Sequence, residues 1–344
     1  MKVLIFSTYD GAVLERIVYE GLCSNIGAKN TYLYKPNKVE LDFSLEPFRK
    51  QWQLLHQDET LERLDEFDHI IFFNGAYFNS LFDKVLNRRT STKKHFIDGS
   101  DDFFVKALYK SKEISNYFKR ELRTNVGSSF HQFEWQMRYG YEMYKASQKR
   151  KGSVMRFSKW EIPIAVAKVN SRYDLKPFPV TVPYSEMRAH AKKKLYDLSF
   201  VATLNTPNKR YYNCKLLELQ NEYSKSRMHL ASGESTQQYI DSIAASKVGV
   251  SVLGVGKDTY RYWDTPYFGS ALLAQRVPVF IPNNFEDGKS ALFFDTYEEL
   301  KQKFERYVIM TNEWREIRKE GKRHFTKYHT PEMRVKNLLM KYLN

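Results

Sequence analysis

Cysteine is scarce in this sequence, where Cys23 and Cys214 are the only two in 344 residues. Two cysteines so far apart exclude a disulfide framework and a cysteine zinc cluster, and they favour a reducing compartment. Of the eight histidines, only His324 and His329 lie close together. Because no cysteine pair precedes them, they complete no zinc pattern.

Long apolar runs are missing as well. No segment is apolar over enough residues to cross a membrane. The run Met1–Ser7 is too short for the core of a secretory signal, and it leads to Asp10 and Gly11, as a first buried strand would. We therefore predict a cytoplasmic location, or the host cytoplasm if the source is viral.

Signature motifs of two protein classes are also missing. The loop Ser7–Gly11 contains no G-x-G-x-x-G, which a dinucleotide oxidoreductase would show directly after its first strand. No helix-turn-helix, zinc-finger or RRM pattern occurs, so a dedicated nucleic-acid module is not indicated.

The sequence does hold enough apolar material for two cores, with 42% hydrophobic residues that include 24 Tyr and 24 Phe. Its length suits two domains of about 150 residues each. Short apolar runs alternate with helical segments, which predicts an α/β protein with open, parallel, doubly wound sheets. The predicted strands are Val3–Phe6, Thr31–Tyr34, His69–Phe73, His95–Asp98, Leu198–Ala202 and Val248–Leu253. Helices are predicted over Ala12–Cys23 and from Phe48 to Leu55.

A cluster of prolines marks the predicted interdomain connection. Pro163, Pro177, Pro179 and Pro183 each fix φ and remove a backbone N–H. We place the boundary near residue 180, with one Rossmann-like domain over 1–180 and a second over 181–328.

The richest segment of the chain is Ser251–Ser270. Its apolar run ends at Gly254 and Gly256, where the backbone can approach an anion closely. Arg261 offers a planar fork of donors for phosphate oxygens. Asp264, three residues on, shares its helical face and can accept from a hydroxyl.

The alternation continues beyond this loop. We predict a helix over Tyr267–Ala274, a buried strand over Val277–Ile281 and a further strand at Leu292–Phe294. Asp295 or Thr296 is suited to cap the helix that follows.

The run from Tyr239 to Phe285 and the ending Tyr328–Arg334 resemble the C-terminal half of bacterial and viral glycosyltransferases of the CgeB-like, group 1 type. The resemblance covers residues 195–335 and implies the two-domain GT-B fold, with the helix of residues 329–344 returning to the first domain. The family commonly has a glutamate where this chain has Asp264, which is one methylene shorter.

The resemblance further implies a nucleotide-sugar donor, UDP- or GDP-linked, bound mainly by the second domain, with no required cofactor. Arg261 would stabilise the leaving diphosphate, with Lys257 or Arg210 as assisting cations. Ser232–Thr236 could border the nucleobase, with a simple turn as the alternative. The candidate donor-binding residues are Thr203, Asn205, Arg210, Gly233, Glu234, Gly254, Gly256, Asp258, Thr259, Arg261 and Asp264.

A catalytic base is expected from the first domain, within reach of the acceptor hydroxyl. Asp10, in the loop after the first strand, is the first candidate, with a turn residue as the alternative. Asp98 follows, and Asp101, Asp102 and His131 are acceptor-side candidates. The acidic run at 98–102 could hold Mg²⁺ or cap a helix, and we predict no required metal.

Charge bears on the acceptor. The net charge is +15, and residues 84–160 hold 18 Lys or Arg against 7 Asp or Glu, a difference of +11. A polyanionic or membrane-surface acceptor is one interpretation, and a solvated basic face is the other. The acceptors under consideration are a surface glycan, a glycolipid, and modified DNA bases of the phage type; a sugar-nucleotide-binding protein without turnover is the third reading.

Overall fold

The computed structural model describes residues 1–6, 13–34, 53–55, 57–73, 81–99, 112–122, 176–182, 187–191, 193–254 and 256–344. Within these ranges the chain forms two parallel sheets with flanking helices. The strands are β1 Val3–Phe6, β2 Thr31–Tyr34, β3 Gln53–Leu55, β4 His69–Phe73, β5 Lys93–Asp98, β6 Asn116–Lys119, β7 Lys176–Pro177, β8 Tyr196–Val201, β9 Met228–Ala231, β10 Ser246–Ser251, β11 Ala271–Gln275 and β12 Leu292–Phe294. The helices are α1 Val13–Ile26, α2 Gln57–Glu62, α3 Phe82–Asn87, α4 Pro207–Glu222, α5 Thr236–Ala244, α6 Tyr260–Tyr267, α7 Tyr297–Phe304, α8 Trp314–Tyr328, α9 Pro331–Arg334 and α10 Met340–Leu343.

The first sheet has the strand order β3-β2-β1-β4-β5-β6-β7, and every neighbouring pair is parallel. Its central strands β1 and β4 are buried along their whole length, because helices cover both faces. The chain order reverses between β1 and β4, so this sheet opens a crevice at their carboxyl ends.

The second sheet has the order β12-β11-β10-β8-β9, again all parallel. Its reversal falls between β8 and β10, whose carboxyl ends are Val201 and Ser251. In doubly wound sheets ligands bind outside the carboxyl ends at such a reversal. The predicted α/β class with two doubly wound sheets is confirmed.

Two predicted helices are wrong. The helix expected over Tyr267–Ala274 ends at its first residue, because Gly269 takes a φ of 89° and Ala271–Gln275 then forms β11 in the middle of the sheet. A short apolar run has no period that separates a buried strand from a buried helix. The helix expected to reach Leu55 is contradicted at Gln53–Leu55, which pairs with β2 as β3.

The strand predicted over Val277–Ile281 is also wrong, because this segment forms none of the strands of the second sheet. Val279 and Ile281 are nevertheless buried in a core cluster. The remaining predictions in this region hold. Leu292–Phe294 is β12, and the Thr296 side chain caps α7 by accepting from the backbone N–H of Glu299.

The C-terminal segment packs against the first sheet rather than the second. Val335, Leu338 and Leu339 lie in one core cluster with Val3 and Ile5 of β1. Helix α9 crosses α1 closely, and the Asn25 side chain donates to the Glu332 carbonyl at 3.0 Å.

Direct bonds join the two sheets around the predicted connection. Phe280 N donates to the Leu122 carbonyl at 2.5 Å, and the Thr181 hydroxyl donates to the His329 carbonyl. The boundary near residue 180 stays a prediction. None of the described helices is both long and apolar enough to cross a membrane.

Candidate functional site

Arg261 occupies the reversal point of the second sheet. It stands in the first turn of α6, and its Nη1 donates to the carbonyl of Val201, the last residue of β8, at 3.2 Å. Its Nε and Nη2 are shielded from solvent and have no hydrogen-bond partner. Burial lowers the pKa of Arg261 from its ordinary value. Two unpaired donors of a buried cation are costly unless a ligand accepts from them, and phosphate oxygens fit this fork.

Lys209 supplies a second cation at the same place. It lies in the first turn of α4, where the Thr206 side chain caps the helix by accepting from the Lys209 N–H. Burial, and after it the charge of Arg261, lowers the pKa of Lys209. Its Nζ donates to Asn205 Oδ1 at 3.0 Å.

The sequence prediction named Arg210 instead of Lys209 as the assisting cation. Arg210 is exposed, and its Nη1 donates to the Leu204 carbonyl at 3.1 Å. Helix phase explains the difference, because α4 begins at Pro207 and successive side chains of a helix point about 100° apart. The cap at Thr206 was the signal that could have fixed this phase.

Gly254 shapes the passage between these groups. A Cβ at this position would lie 3.1 Å from Lys209 Cε and 3.3 Å from Thr259 Cγ2, so a side chain would press on the cation. The strand exit beside it is held by Asn208, whose Nδ2 donates to the Leu253 carbonyl and to Gln275 Oε1, both at 2.9 Å.

The start of α6 adds backbone donors. Its N-cap is Thr259, whose hydroxyl bonds to Ser251 Oγ at 3.0 Å and makes no capping bond to the helix. The first N–H groups of a helix have no intrahelical acceptor and carry a partial positive charge. The Tyr262 N–H donates to the Thr259 carbonyl at 3.0 Å, and the positive end of the helix lies next to Arg261, where it suits an anion.

Asp264 lies one turn further along α6 and is fully buried. Its Oδ2 accepts from the Tyr239 hydroxyl at 2.8 Å, while Oδ1 has no partner. Burial raises the pKa of Asp264 to about 8, against the opposing effects of Tyr239 and Arg261. In this part of the structure Asp264 and Arg261 do not pair, so each keeps a free polar atom for a ligand.

Two predicted donor residues form the turn after β8. Asn205 N donates to the Thr203 carbonyl at 2.9 Å, and both side chains are exposed. Asn205 positions Lys209 through its side-chain oxygen, whereas the structure gives Thr203 no side-chain contact with the cations.

Gly233 and Glu234 lie after β9. Gly233 has a φ of 76°, which favours glycine and turns the chain into α5. Glu234 Oε1 bonds to His229 Nε2 at 2.6 Å, and Oε2 accepts from Ser242 at 3.4 Å. These bonds hold Glu234 beside the β9 turn.

Asp258 was predicted to bind the donor, and the structure gives its carboxylate two partners within the protein. It is fully buried, and its Oδ1 accepts from Arg120 Nε at 3.2 Å while its Oδ2 accepts from Val180 N at 2.9 Å. Arg120 follows β6 of the first sheet. Asp258 therefore ties the loop between Gly254 and Thr259, the predicted donor loop, to the first sheet and to the connecting segment.

The neighbouring loop residues make the same connection. Gly256 accepts from Gly254 N at 3.2 Å, which closes the loop. Lys257 N donates to Glu121 Oε1 at 2.5 Å. Lys257 itself is buried, with Nζ on the Gly254 carbonyl at 3.3 Å, so it supports the loop rather than reaching outward.

Glu121 was not found from the sequence. It is buried between the two sheets, and its Oε2 has no hydrogen-bond partner. Burial, and then the carboxylate of Asp258, raises the pKa of Glu121. Nothing in its local sequence marks this environment, which depends on residues of the distant loop.

Asp98 was predicted as a catalytic candidate, and its surroundings argue against that role. The carboxylate is fully buried and accepts from the Tyr117 hydroxyl at 2.6 Å and from Lys119 Nζ at 3.0 Å. A base must reach an acceptor hydroxyl, so we reassign Asp98 to a structural ion pair. Asp10, Asp101, Asp102 and His131 lie outside the described residues.

A search of the described residues for three clustered His, Cys, Asp or Glu side chains that could hold a metal ion finds no such group.

The second of two doubly wound parallel sheets thus carries the unpaired Arg261 donors at its reversal point, where such sheets bind ligands. Residues 209–340 match a protein-family model described as "Glycosyl transferase-like". This segment includes Lys209, Arg261 and Asp264, together with most of the second sheet. No curated protein sequence matches the chain.

Solved structures resemble the chain over its full length. Anabaena Alr3699/HepE, in complex with UDP and glucose, matches with a TM-score of 0.55 and 8% identity over 100% of this chain and 99% of that one. An alpha-glucosyltransferase in complex with UDP-glucose and DNA containing an abasic site matches with a TM-score of 0.54 and 9% identity, over 99% of this chain and 98% of that one. At such identities the likeness establishes the fold. That fold is the two-domain GT-B architecture, and the family match over residues 209–340 confirms the predicted enzyme class, a glycosyltransferase.

Proposed function

We propose that this chain transfers a glycosyl group from a UDP-sugar to a hydroxyl acceptor, as a CgeB-like member of the group 1 type. The observation that carries the proposal is the pair of buried, unpartnered Arg261 donors beside Lys209 at the reversal point of the second sheet. UDP is preferred to GDP because HepE and the alpha-glucosyltransferase were both solved with UDP or UDP-glucose.

The site suits a leaving diphosphate. Negative charge grows on the diphosphate as the glycosidic bond breaks, and fixed donors aimed at that charge lower the barrier. Arg261 and Lys209 provide such donors before the reaction begins, and the positive end of α6 lies beside them. Asp264, with a free Oδ1, would accept from a ribose hydroxyl.

The acceptor side of the mechanism rests on the sequence. We propose Asp10 as the base that removes the acceptor proton, and Asp101, Asp102 and His131 as further acceptor-side residues. The scarcity of cysteine supports a reducing, cytoplasmic location.

A thermal-shift panel of UDP, GDP, ADP, TDP and CMP tests donor binding, since a ligand that binds only the folded state raises the melting temperature. UDP is expected to give the largest rise in the wild type and little rise in Arg261→Gln. A panel without any response would refute the proposal.

Turnover is tested separately from binding. Asp10→Asn should bind UDP as the wild type does and lose sugar transfer or donor hydrolysis. A wild type that binds UDP and neither transfers nor hydrolyses any UDP-sugar would instead be a binding protein without turnover.

A metal-free mechanism is part of the proposal, because two cations and a helix end meet where we propose that the diphosphate binds. Transfer should therefore persist in EDTA. Loss of transfer that Mg²⁺ or Mn²⁺ restores would overturn this element.

Modified DNA is the second candidate acceptor, favoured by the excess of 18 basic over 7 acidic residues in 84–160. The alpha-glucosyltransferase solved with DNA shares the fold. Binding to duplex DNA that weakens steeply with salt would favour this acceptor over a glycan or a glycolipid.

A further inference from the structure

A cavity of about 430 Å³ opens on the second sheet at the end opposite to the donor site. Ala244 and Gly269 line it, and each lies two residues before a strand begins, β10 in one case and β11 in the other. β10 has six residues, so at about 3.3 Å per residue the cavity and the donor loop lie about 17 Å apart. The cavity is therefore separate from the donor site.

Four cations line this cavity: Lys194, Arg318, Lys319 and Lys322. The other described residues that line it are Ala189, Ala191, Ala244, Phe268 and Gly269, so none of them is acidic. Like charges held this close repel one another unless an anion lies between them.

Lys194 is the fixed member of the group. Its Nζ donates to the carbonyls of Ala244 at 2.8 Å and Gly269 at 2.6 Å, and to Ser270 Oγ at 3.3 Å. Burial, and then the charges of Arg318 and Lys322, lowers the pKa of Lys194 to about 7. Burial and the neighbouring cations thus disfavour the charged form of Lys194.

Arg318 carries the unsatisfied donor. Its Nε is shielded from solvent and has no hydrogen-bond partner, while its guanidinium lies 5.8 Å from the centre of the Trp314 ring. Lys319 and Lys322 stand beside it on α8 and are exposed, so their long side chains can close over a bound group.

We propose that this cavity binds a phosphate-bearing small molecule. The phosphate would accept from Arg318 and lie among the three lysines, and the rest of the molecule would pack on the Ala189 and Phe268 side. A cavity of this volume is of the size that proteins use for small ligands. Because the site is concave, we infer a soluble phosphate and not a bilayer headgroup as its source.

Isothermal titration with inorganic pyrophosphate tests the proposal. The donor cations could bind the same probe, so the titrations use the full-length Lys209→Gln/Arg261→Gln protein. Pyrophosphate should bind this protein, and adding Lys319→Gln/Lys322→Gln should weaken binding at least tenfold. Both lysines are exposed, and circular dichroism checks that the fold is kept.

The matched control is Arg315→Gln/Lys327→Gln, which removes the same charge from exposed positions of α8 that do not line the cavity. It should leave pyrophosphate affinity unchanged. Equal weakening by both pairs, or no binding at all, would overturn the site. The soluble source would be overturned if the protein bound vesicles of anionic phospholipid but not pyrophosphate, and if Lys319→Gln/Lys322→Gln weakened the binding to vesicles. UDP binding by the wild type is measured apart, so this result does not depend on the donor proposal.

Discussion

Lys209 and Arg210 are neighbours on α4 with opposite surroundings. Lys209 faces Arg261 and the donor loop, whereas Arg210 faces solvent and the Leu204 carbonyl. A charged hydrogen bond to phosphate contributes about 1.5–3 kcal/mol. We therefore expect Lys209→Gln to weaken UDP binding by ten- to a hundredfold, and Arg210→Gln to change it less than about twofold, as measured by calorimetry. The reverse order would place the diphosphate elsewhere.

Asp264 makes stability depend on pH. Its folded-state pKa of about 8 lies above the ordinary carboxyl value of 3.8. Between these values the folded protein holds a proton that the unfolded chain has lost, so stability falls as pH rises through the window. One such group contributes up to about 1.4 kcal/mol per pH unit.

Asp264→Asn removes this titration and nearly keeps the shape. From pH 5 to pH 8 the wild type should lose unfolding free energy relative to Asp264→Asn. Above pH 8 the difference between the two proteins should level off. Urea unfolding at several pH values measures the shift. Glu121, whose pKa is also raised, adds a slope of the same sign to both proteins and cancels in the comparison. A difference that is flat with pH would show that Asp264 is ionised in the folded protein.

At the scale of the elements, helices α1 and α9 pack closely against each other at Gly21. A Cβ there would overlap the Val335 side chain and the Pro331 carbonyl. Alanine would gain about 1 kcal/mol in helix propensity, but overpacking against backbone costs about 1–3 kcal/mol. We expect Gly21→Ala to lower the unfolding free energy.

The matched control for Gly21 is Ser24→Ala on the exposed face of the same helix, where the side chain bonds only to the Glu20 carbonyl. Its urea midpoint should stay close to that of the wild type. A Gly21→Ala protein as stable as this control would mean that the C-terminal segment can move away from α1 without loss.

Elements whose signal is local were predictable. The strands β1, β4 and β10 are short apolar runs bounded by turn residues, and the order of strands and helices predicts their parallel sheets. β11 was mistaken for a helix because Ala271–Ala274, its first four residues, has no polar position that would set a period of two. Propensity does not distinguish the two forms when both faces are buried.

The site was predictable to the extent that it follows from one segment. Arg261 and Asp264 share a helix that begins directly after a glycine loop, so their placement follows from spacing. Asp258 and Glu121 could not be assigned this way, because their partners lie 138 and 136 residues away. Their burial is a property of how the two sheets meet.

At the scale of the whole molecule, the donor loop and the first sheet share a buried ion pair. Arg120 Nε lies 3.2 Å from Asp258 Oδ1, and Asp258 also holds Val180 of the connecting segment. Arg334, buried over the Trp263 ring at 4.6 Å, adds a second positive charge that acts on Asp258, and burial lowers the pKa of Arg334 to about 9. The loop that precedes Arg261 is thereby tied directly to the first sheet.

Removing one partner of a buried pair leaves the other charge uncompensated, at a cost of about 3–5 kcal/mol. Arg334 and the Val180 N–H still compensate Asp258, so Arg120→Gln should lower the unfolding free energy by part of this amount. It should also weaken UDP binding, because the loop between Gly254 and Thr259 loses its support. The control is Arg63→Gln, whose partner Glu66 lies on the surface, and exposed pairs contribute about 0–1 kcal/mol. Urea unfolding and UDP titration of both variants measure the two effects. If Arg120→Gln lost stability yet bound UDP as the wild type does, the ion pair would hold the two sheets together without supporting the donor loop.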